Sequence, residues 1–246
     1  MKAVILAGGY AKRLQPLTNN AAKPLLPVKG KPIIDHIMEK IEELKDTVDE
    51  VIVFTNEKFR GQFEGWLKAR QFNVKVEIIA EPSRSEDEKF GAIRALSWLI
   101  TNYGLDDDCL IIAGDNLFTS GLKPIVEYYF KNGKKPLIAV YDVKNLELVK
   151  HYSAVKIDSD TQRVIDFSEK PEKPETTLVS TCIYLMPKSI LKLFNEYLKE
   201  GNNPDSPGYF IRWLHKKVEV YGYGLQGFWT DIGTPETYEK AKQSIS

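Results

Sequence analysis

Apolar residues along this chain recur at two alternating spacings. Short unbroken runs, at Ala3-Val4-Ile5-Leu6, Val51-Ile52-Val53-Phe54, 74–80 and Cys109–Ala113, read as buried strands. Between them, Ile33, Ile34, Ile37, Met38, Ile41 and Leu44, then Phe59, Phe63, Trp66 and Leu67, then Ile93, Leu96 and Ile100 fall at helical spacing. Repeated strand–helix units predict an α/β fold with a mixed, mostly parallel central sheet flanked by helices. In such sheets ligands bind beyond the carboxyl ends of the strands, so the loop after the first strand and the Gly114-Asp115-Asn116 turn are expected to face one crevice.

Further along, the pattern predicts a helix near 122–130, a strand at 137–143, and a hairpin of 154–157 with 164–167 turning at 158–162. A strand at 179–186, a helix at 190–198 and a shorter helix at 209–214, after the Pro204-Asp205-Ser206-Pro207 turn, come next. Strand-like 218–223, the run Phe228-Trp229-Thr230-Asp231-Ile232-Gly233 and a capped helix from Thr234-Pro235-Glu236 close the chain. No repeat, linker or low-complexity tract divides these elements, so one continuous domain over 1–246 is expected, with a small antiparallel elaboration in its second half.

Charge narrows the field. The 34 Lys+Arg and 34 Asp+Glu cancel, which removes any global electrostatic case for nucleic acid or an anionic membrane. No apolar run reaches the ~18 residues of a membrane span, and a cytoplasmic protein is expected. Cys109 and Cys182 lie in strand-like runs as buried free thiols, suggesting neither disulfide nor zinc. His36, His151 and His215 have no ligand spacing and read as surface or helix-face residues, while Phe59, Phe63, Trp66, Trp98 and Trp213 read as core.

The chemistry gathers at strand ends. The first strand breaks into Gly8-Gly9-Tyr10-Ala11-Lys12-Arg13-Leu14 and runs on to Lys23-Pro24. Paired glycines permit a tight turn that brings backbone amides to an anion, with Arg13 and Lys23 supplying charge for a polyphosphate. The loop matches neither GxxxxGK[ST] nor GxGxxG. Asp115, at the tip of a buried strand, stands where a hard cation taking few carboxylates would be held, or else caps its own turn. Asp231, isolated among apolar and aromatic residues, is a second such carboxylate. At Ser168-Glu169-Lys170-Pro171 a strand ends with an acid and a base side by side.

In order along the chain, Ala7 to Leu14 with Pro16-Leu17-Thr18, Lys23-Pro24-Leu25-Leu26-Pro27-Val28, Gly114-Asp115, Glu169-Lys170-Pro171 and Trp229 to Glu236 resemble the sugar-1-phosphate nucleotidylyltransferases. The resemblance implies a Rossmann-like domain, nucleotide-binding over about 1–118 and sugar-phosphate-binding over about 119–246. It implies transfer of a nucleotidyl group from a nucleoside triphosphate to a sugar 1-phosphate, with release of pyrophosphate and dependence on Mg²⁺. Arg13 and Lys23 are implied as catalytic, Asp115 and Asp231 as metal ligands, and Leu6, Ala7, Gly8, Gly9, Lys12, Glu81 and Gly91 as nucleotide-binding. Glu169, Lys170, Tyr152 and Thr181 are implied for the sugar phosphate.

Departures from the pattern are specific. The family loop reads GGxGTRL, whereas Ala11 and Lys12 stand here for glycine and threonine; Tyr152-Ser153-Ala154-Val155 replaces tyrosine-glycine-valine, and Cys182 replaces the glycine ahead of Tyr184. Glu81-Pro82 is separated from Gly91 by a charged stretch, 83–90, expected to be a mobile insertion. An ionised Glu81 accepts hydrogen bonds only, which suits guanine, but dTTP, UTP and GTP are left unranked. The loop substitutions also permit a catalytically weak nucleotide or sugar-nucleotide sensor. The chain stops one helix after Asp231, so acyltransferase activity on a C-terminal β-helix is not expected, and homo-oligomer assembly is left open.

Overall fold

The structure, a computed structural model, describes residues 1–244. In chain order its first elements are β1 (Lys2–Leu6), β2 (Pro27–Val28), β3 (Lys31–Pro32), α1 (Ile33–Glu42), β4 (Glu50–Asn56), α2 (Arg60–Lys68), β5 (Lys75–Glu81), α3 (Ala92–Trp98), β6 (Cys109–Ala113) and β7 (Asn116–Phe118). There follow α4 (Lys123–Lys131), β8 (Leu137–Asp142), α5 (Leu146–Val149), β9 (Ser153–Ile157), β10 (Val164–Glu169), β11 (Leu178–Met186), α6 (Lys192–Lys199), α7 (Pro207–Leu214), β12 (Tyr221–Gly224), β13 (Trp229–Asp231) and α8 (Pro235–Ser244). Two compact units share them: Met1–Phe90, Ile111–Lys123 and Gly227 onward form the first, Gly91–Leu110 and Pro124–Gln226 the second.

In the first unit β1 pairs with β4 and β4 with β5, all parallel. All seven residues of β4 are buried, as expected of a strand covered on both faces. The strand order β6-β1-β4-β5 puts β1 where the winding reverses. That is the position at which an open α/β sheet leaves a crevice beyond its strand ends. Helix α1 buries Ile33, Ile34, Ile37, Met38 and Ile41.

The C-terminal segment returns to this unit. β13 pairs antiparallel with β7, and Ile232, Tyr238 and Ala241 join Leu14, Leu26, Val28, Ile33 and Leu117 in one apolar cluster. The Tyr238 hydroxyl donates to the Pro27 carbonyl at 2.7 Å, tying α8 to the segment that follows the glycine loop.

The second unit has the strand order β10-β9-β11-β8-β12, antiparallel apart from the β12–β8 pair. The expected hairpin is β9–β10, its turn held by Asp158 Oδ1 accepting the Asp160 and Thr161 amides. The strand expected at 218–223 starts only at Tyr221, because the Lys217 and Val218 amides fold back to the Leu214 carbonyl at 2.9 and 3.0 Å. The mostly parallel sheet is thus a property of the first unit, and antiparallel pairing dominates the second.

Two histidines, read as surface or helix-face residues, are at least half-buried. His36 is buried with Nε2 3.0 Å from the Val28 carbonyl, and His215 is half-buried with its Nε2 unpartnered. Burial pushes both below the ordinary value of 6.5. The unfolded chain therefore binds the extra protons, so stability present above the ordinary histidine range is lost as pH falls toward the depressed folded values. Melting temperature should drop between neutral and mildly acidic pH, by less in His215→Gln; equal drops in wild type and variant would refute this. Cys109 is buried and Cys182 only half-buried, and both are free thiols. No helix among the described residues is long and apolar enough to cross a membrane.

Candidate active site

At the end of β1 the Ala7 amide donates to the Phe54 carbonyl at 2.7 Å and the Leu6 carbonyl accepts the Gly114 amide at 2.8 Å. The loop is then clamped by Asn56, fully buried at the end of β4. Its side-chain amide donates to the Gly8 carbonyl at 2.9 Å while its Oδ1 accepts the Phe59 amide at 3.1 Å.

The tight turn does not come from the glycine pair. Neither Gly8 nor Gly9 has positive φ; the left-handed residue is Ala11, at φ 49° and ψ 45°. Its carbonyl accepts the Leu14 amide and the Thr18 hydroxyl at 2.9 and 2.8 Å. Alanine thus takes left-handed backbone at the position where the family pattern has glycine. Left-handed geometry costs a non-glycine residue about 1–2 kcal/mol, and glycine returns about 0.5–1 of that in lost backbone freedom. Ala11→Gly should stabilise the chain by about 0.5–1 kcal/mol, a rise of about 1–4 °C in Tm; an unchanged or lower Tm would contradict it.

The charged groups converge on this loop. Lys23, which opens a short helical turn with Pro24 next to it, places Nζ 2.5 Å from Asp115 Oδ2, and both side chains are largely buried, at 15% and 24% exposure. The ribbon of β7 and β13 supplies the second carboxylate: Asp231 is paired with Asn116, and the Ile232 amide donates to the Asp115 carbonyl at 2.9 Å. The buried Trp229 indole donates to Asn116 Oδ1 at 2.8 Å and holds the ribbon in register. Arg13 reaches the same place. A Cβ on Gly233 would lie 3.1 Å from Asp231 Oδ2 and 3.4 Å from the Arg13 guanidinium. Two aspartates, an arginine and a lysine, drawn from positions as far apart as 13 and 231, therefore meet in the first unit.

Glu81, expected from the resemblance to bind the nucleotide, makes its contacts within the first unit. It is 2% exposed at the end of β5, and its carboxylate accepts the Ser83 hydroxyl and, at 3.2 and 3.1 Å, the Phe90 amide. Ser83 in turn contacts the Tyr10 hydroxyl at 3.3 Å. The 83–90 segment, expected to be mobile, is held at both ends by this carboxylate. Glu88 accepting the Arg84 amide and a Lys89–Glu86 ion pair at 2.7 Å brace it further. Lys12 is exposed beside the loop.

In the second unit Glu169 stands against the start of α7. Its carboxylate accepts hydroxyls from Ser153 and, at 2.8 Å, Ser206, and a Cβ on Gly208 would lie 1.9 Å from Oε2. Lys170 is exposed, in left-handed conformation at φ 44°, its amide donating to the Tyr152 carbonyl at 2.9 Å. Thr181 is buried with its hydroxyl donating to the Ala139 carbonyl at 3.0 Å. Beside it Cys182, at φ 57° in an irregularity of β11, also takes left-handed backbone where the family pattern has glycine. Gly91 lies at φ 79° against Pro204 and Asp205, as a packing residue of this unit.

Sequence reasoning missed Asn56, Ser153, Ser206 and Gly208. Asn56 carries a usable signal, a polar residue at the carboxyl end of an otherwise apolar parallel strand. The two serines carry none, because their role exists only once Glu169 is placed.

A glycine loop after β1, two carboxylates gathered at the β7–β13 ribbon and a sheet reversing at β1 suit nucleotidyl transfer, and the chain belongs to the nucleotidyl transferase family, whose sequence model matches residues 2–246. It is similar to the bifunctional protein GlmU of Methanocaldococcus jannaschii, 32% identical over 235 residues that cover 96% of this chain and 52% of that one. It is also similar to the glucose-1-phosphate adenylyltransferase of Clostridium acetobutylicum, 28% identical over 258 residues, 99% of this chain and 66% of that one. The chain thus spans about half the length of the GlmU protein it matches. Among solved structures, UDP-glucose pyrophosphorylase complexed with UDP-glucose has the same fold, with a TM-score of 0.79 at 21% identity over 98% of this chain and 97% of that one.

Proposed function

We propose that this chain transfers a nucleotidyl group from a nucleoside triphosphate to a sugar 1-phosphate in the cytoplasm, releasing pyrophosphate with the help of Mg²⁺. The observation that carries the reading is the β7–β13 ribbon, which sets Asp231 beside the turn that holds Asp115, next to Arg13 and Lys23.

The donor set suits the metal. Among the described residues no group of three or more His, Cys, Asp or Glu side chains is gathered for an ion. Two carboxylates are what Mg²⁺ takes when phosphate oxygens and water complete its shell. Asp115 and Asp231 would hold it, and when bound it supplies charge neutralisation on the phosphates.

A phosphate oxygen of the sugar phosphate attacks the α-phosphorus, the bond from that phosphorus to the bridging oxygen of the β-phosphate breaks, and pyrophosphate leaves with both bond electrons. No protein nucleophile is needed; the work is alignment and neutralisation. Arg13 holds the departing pyrophosphate. Lys23, already poised against an anion at Asp115, contacts the phosphates nearest the reacting centre. The ends of β1 and β6 and the loop at Leu6, Ala7, Gly8, Gly9 and Lys12 receive the nucleotide. In the second unit Glu169, oriented by two serines, accepts sugar hydroxyls, and Lys170 meets the sugar phosphate. Because the Glu81 carboxylate is committed to Ser83 and Phe90, it favours none of dTTP, UTP and GTP.

A panel crossing nucleoside triphosphates with sugar 1-phosphates, read by pyrophosphate release with and without Mg²⁺, tests the proposal. Turnover with at least one pair, abolished by chelation, is expected. Tight nucleotide binding without turnover for any pair would replace the enzyme by a sensor.

A further inference from the structure

The Glu169 carboxylate in the second unit is already partly occupied by the protein itself. Ser153, its direct cross-strand partner in the β9–β10 pairing, donates its hydroxyl to Oε2, and Ser206 donates to Oε1 at 2.8 Å. A carboxylate only accepts, with about four lone-pair positions on its two oxygens, so the serines take one on each. Gly208 closes one side further. An added Cβ there would lie 1.9 Å from Oε2 and 2.4 Å from the Ser153 hydroxyl oxygen, so the backbone of α7 covers both. Oε1 alone keeps an open position.

Ser206 stands at the N-cap of α7, where a serine oxygen ordinarily accepts a helix amide and stabilises the helix. Here it makes no cap bond, and its hydroxyl goes to Glu169 instead. The turn that carries it is fixed independently. Asn203 Oδ1 accepts the Asp205 and Ser206 amides at 2.8 and 3.4 Å, and the Asn203 carbonyl accepts the Tyr197 hydroxyl at 2.9 Å. The Pro204 and Asp205 carbonyls accept the Ile93 and Ala92 amides at 2.9 and 3.1 Å. Moving the Ser206 backbone therefore means moving a turn pinned from both α3 and α6.

We propose that Ser206 sets acceptor specificity by leaving Glu169 room for one donor rather than two. The substrate class is then a sugar 1-phosphate with a single hydroxyl at this point, its neighbour absent or substituted, as in a deoxy sugar. The inference rests on the acceptor role proposed for Glu169 and deepens it. Two adjacent hydroxyls can donate in parallel to a free carboxylate. Against this one the second hydroxyl meets Gly208 and loses its bond to water without replacement, a penalty that a deoxy sugar escapes.

Calorimetric titration of the full chain with glucose 1-phosphate and each of its monodeoxy analogues tests this. Wild type is expected to bind at least one analogue as tightly as the parent sugar phosphate, or more tightly. Ser206→Ala opens the second position on Oε1, and preference for the parent over that analogue should rise roughly tenfold, the scale of one hydrogen bond to a charged group. Ser206→Thr keeps the hydroxyl and should keep the wild-type ratio, which separates specificity from packing of the turn. A parent that wild type binds better than every analogue, a ratio unchanged in Ser206→Ala, or no binding of any of these sugar phosphates would overturn the inference. Failure of the proposed activity looks different: the binding pattern intact, with no pyrophosphate released from any substrate pair, removes the enzyme and upholds the pocket.

Discussion

Asp231→Asn is expected to lower Mg²⁺-dependent nucleotidyl transfer by about 10³-fold, the scale of removing one electrostatic partner of a transition state, while the chain melts within a degree or two of wild type. The substitution keeps the shape of the side chain and removes its charge. The β7–β13 ribbon does not depend on that charge, because its register rests on backbone pairing and on the Trp229 indole at Asn116. Asp115→Asn should have a comparable effect on turnover, and it also releases Lys23 from its ion pair. Steady-state pyrophosphate release beside thermal melts checks both. Full activity in either variant would remove that carboxylate from the proposed metal pair.

The largest loss of stability is expected from Gly91→Ala. Its φ of 79° strains any side chain, and an added Cβ would lie 2.6 Å from the Asp205 Cα and 2.7 Å from the Pro204 carbonyl, contacts that only backbone movement relieves. The adjacent Ala92 and Ile93 amides donate to the Asp205 and Pro204 carbonyls at 3.1 and 2.9 Å, so a shift there also loosens the start of α3. A cost of about 3–4 kcal/mol follows, or roughly 6–16 °C in Tm. A loss under 1 kcal/mol would show that the 204–205 turn yields freely. Because Gly91 carries the expectation of a nucleotide contact, nucleotide affinity measured well below the melting point separates that role from packing.

The sheet of the first unit was legible because its strands are buried on both faces and so appear as unbroken apolar runs, as in β4. The interleaving of the two units was not. The passage from Gly91 to Leu110 belongs with residues after 123, and the periodicity of a helix and half a strand does not say which neighbours they will meet. The acids and bases of the site were legible as residue types at strand ends, and family resemblance grouped them. What stayed hidden was how partners spend them. Glu81 looks from sequence like a free acceptor beside a proline, yet Ser83 and Phe90 take it up; Glu169 likewise depends on Ser153 and Ser206 from elsewhere in the chain. Ala11 and Cys182 stand where the family pattern has glycine, and their left-handed backbone is not announced by their residue types.

The apolar cluster under the glycine loop has a consequence for the order of synthesis. Leu14, Val28 and Ile33 leave the ribosome well before Ile232, Tyr238 and Ala241, which complete their packing. A nascent chain that has grown past residue 220 thus carries a finished first sheet and a loop with no floor. The second carboxylate arrives with the same later segment, so Asp115 and Asp231 can be brought together only once that segment has been made.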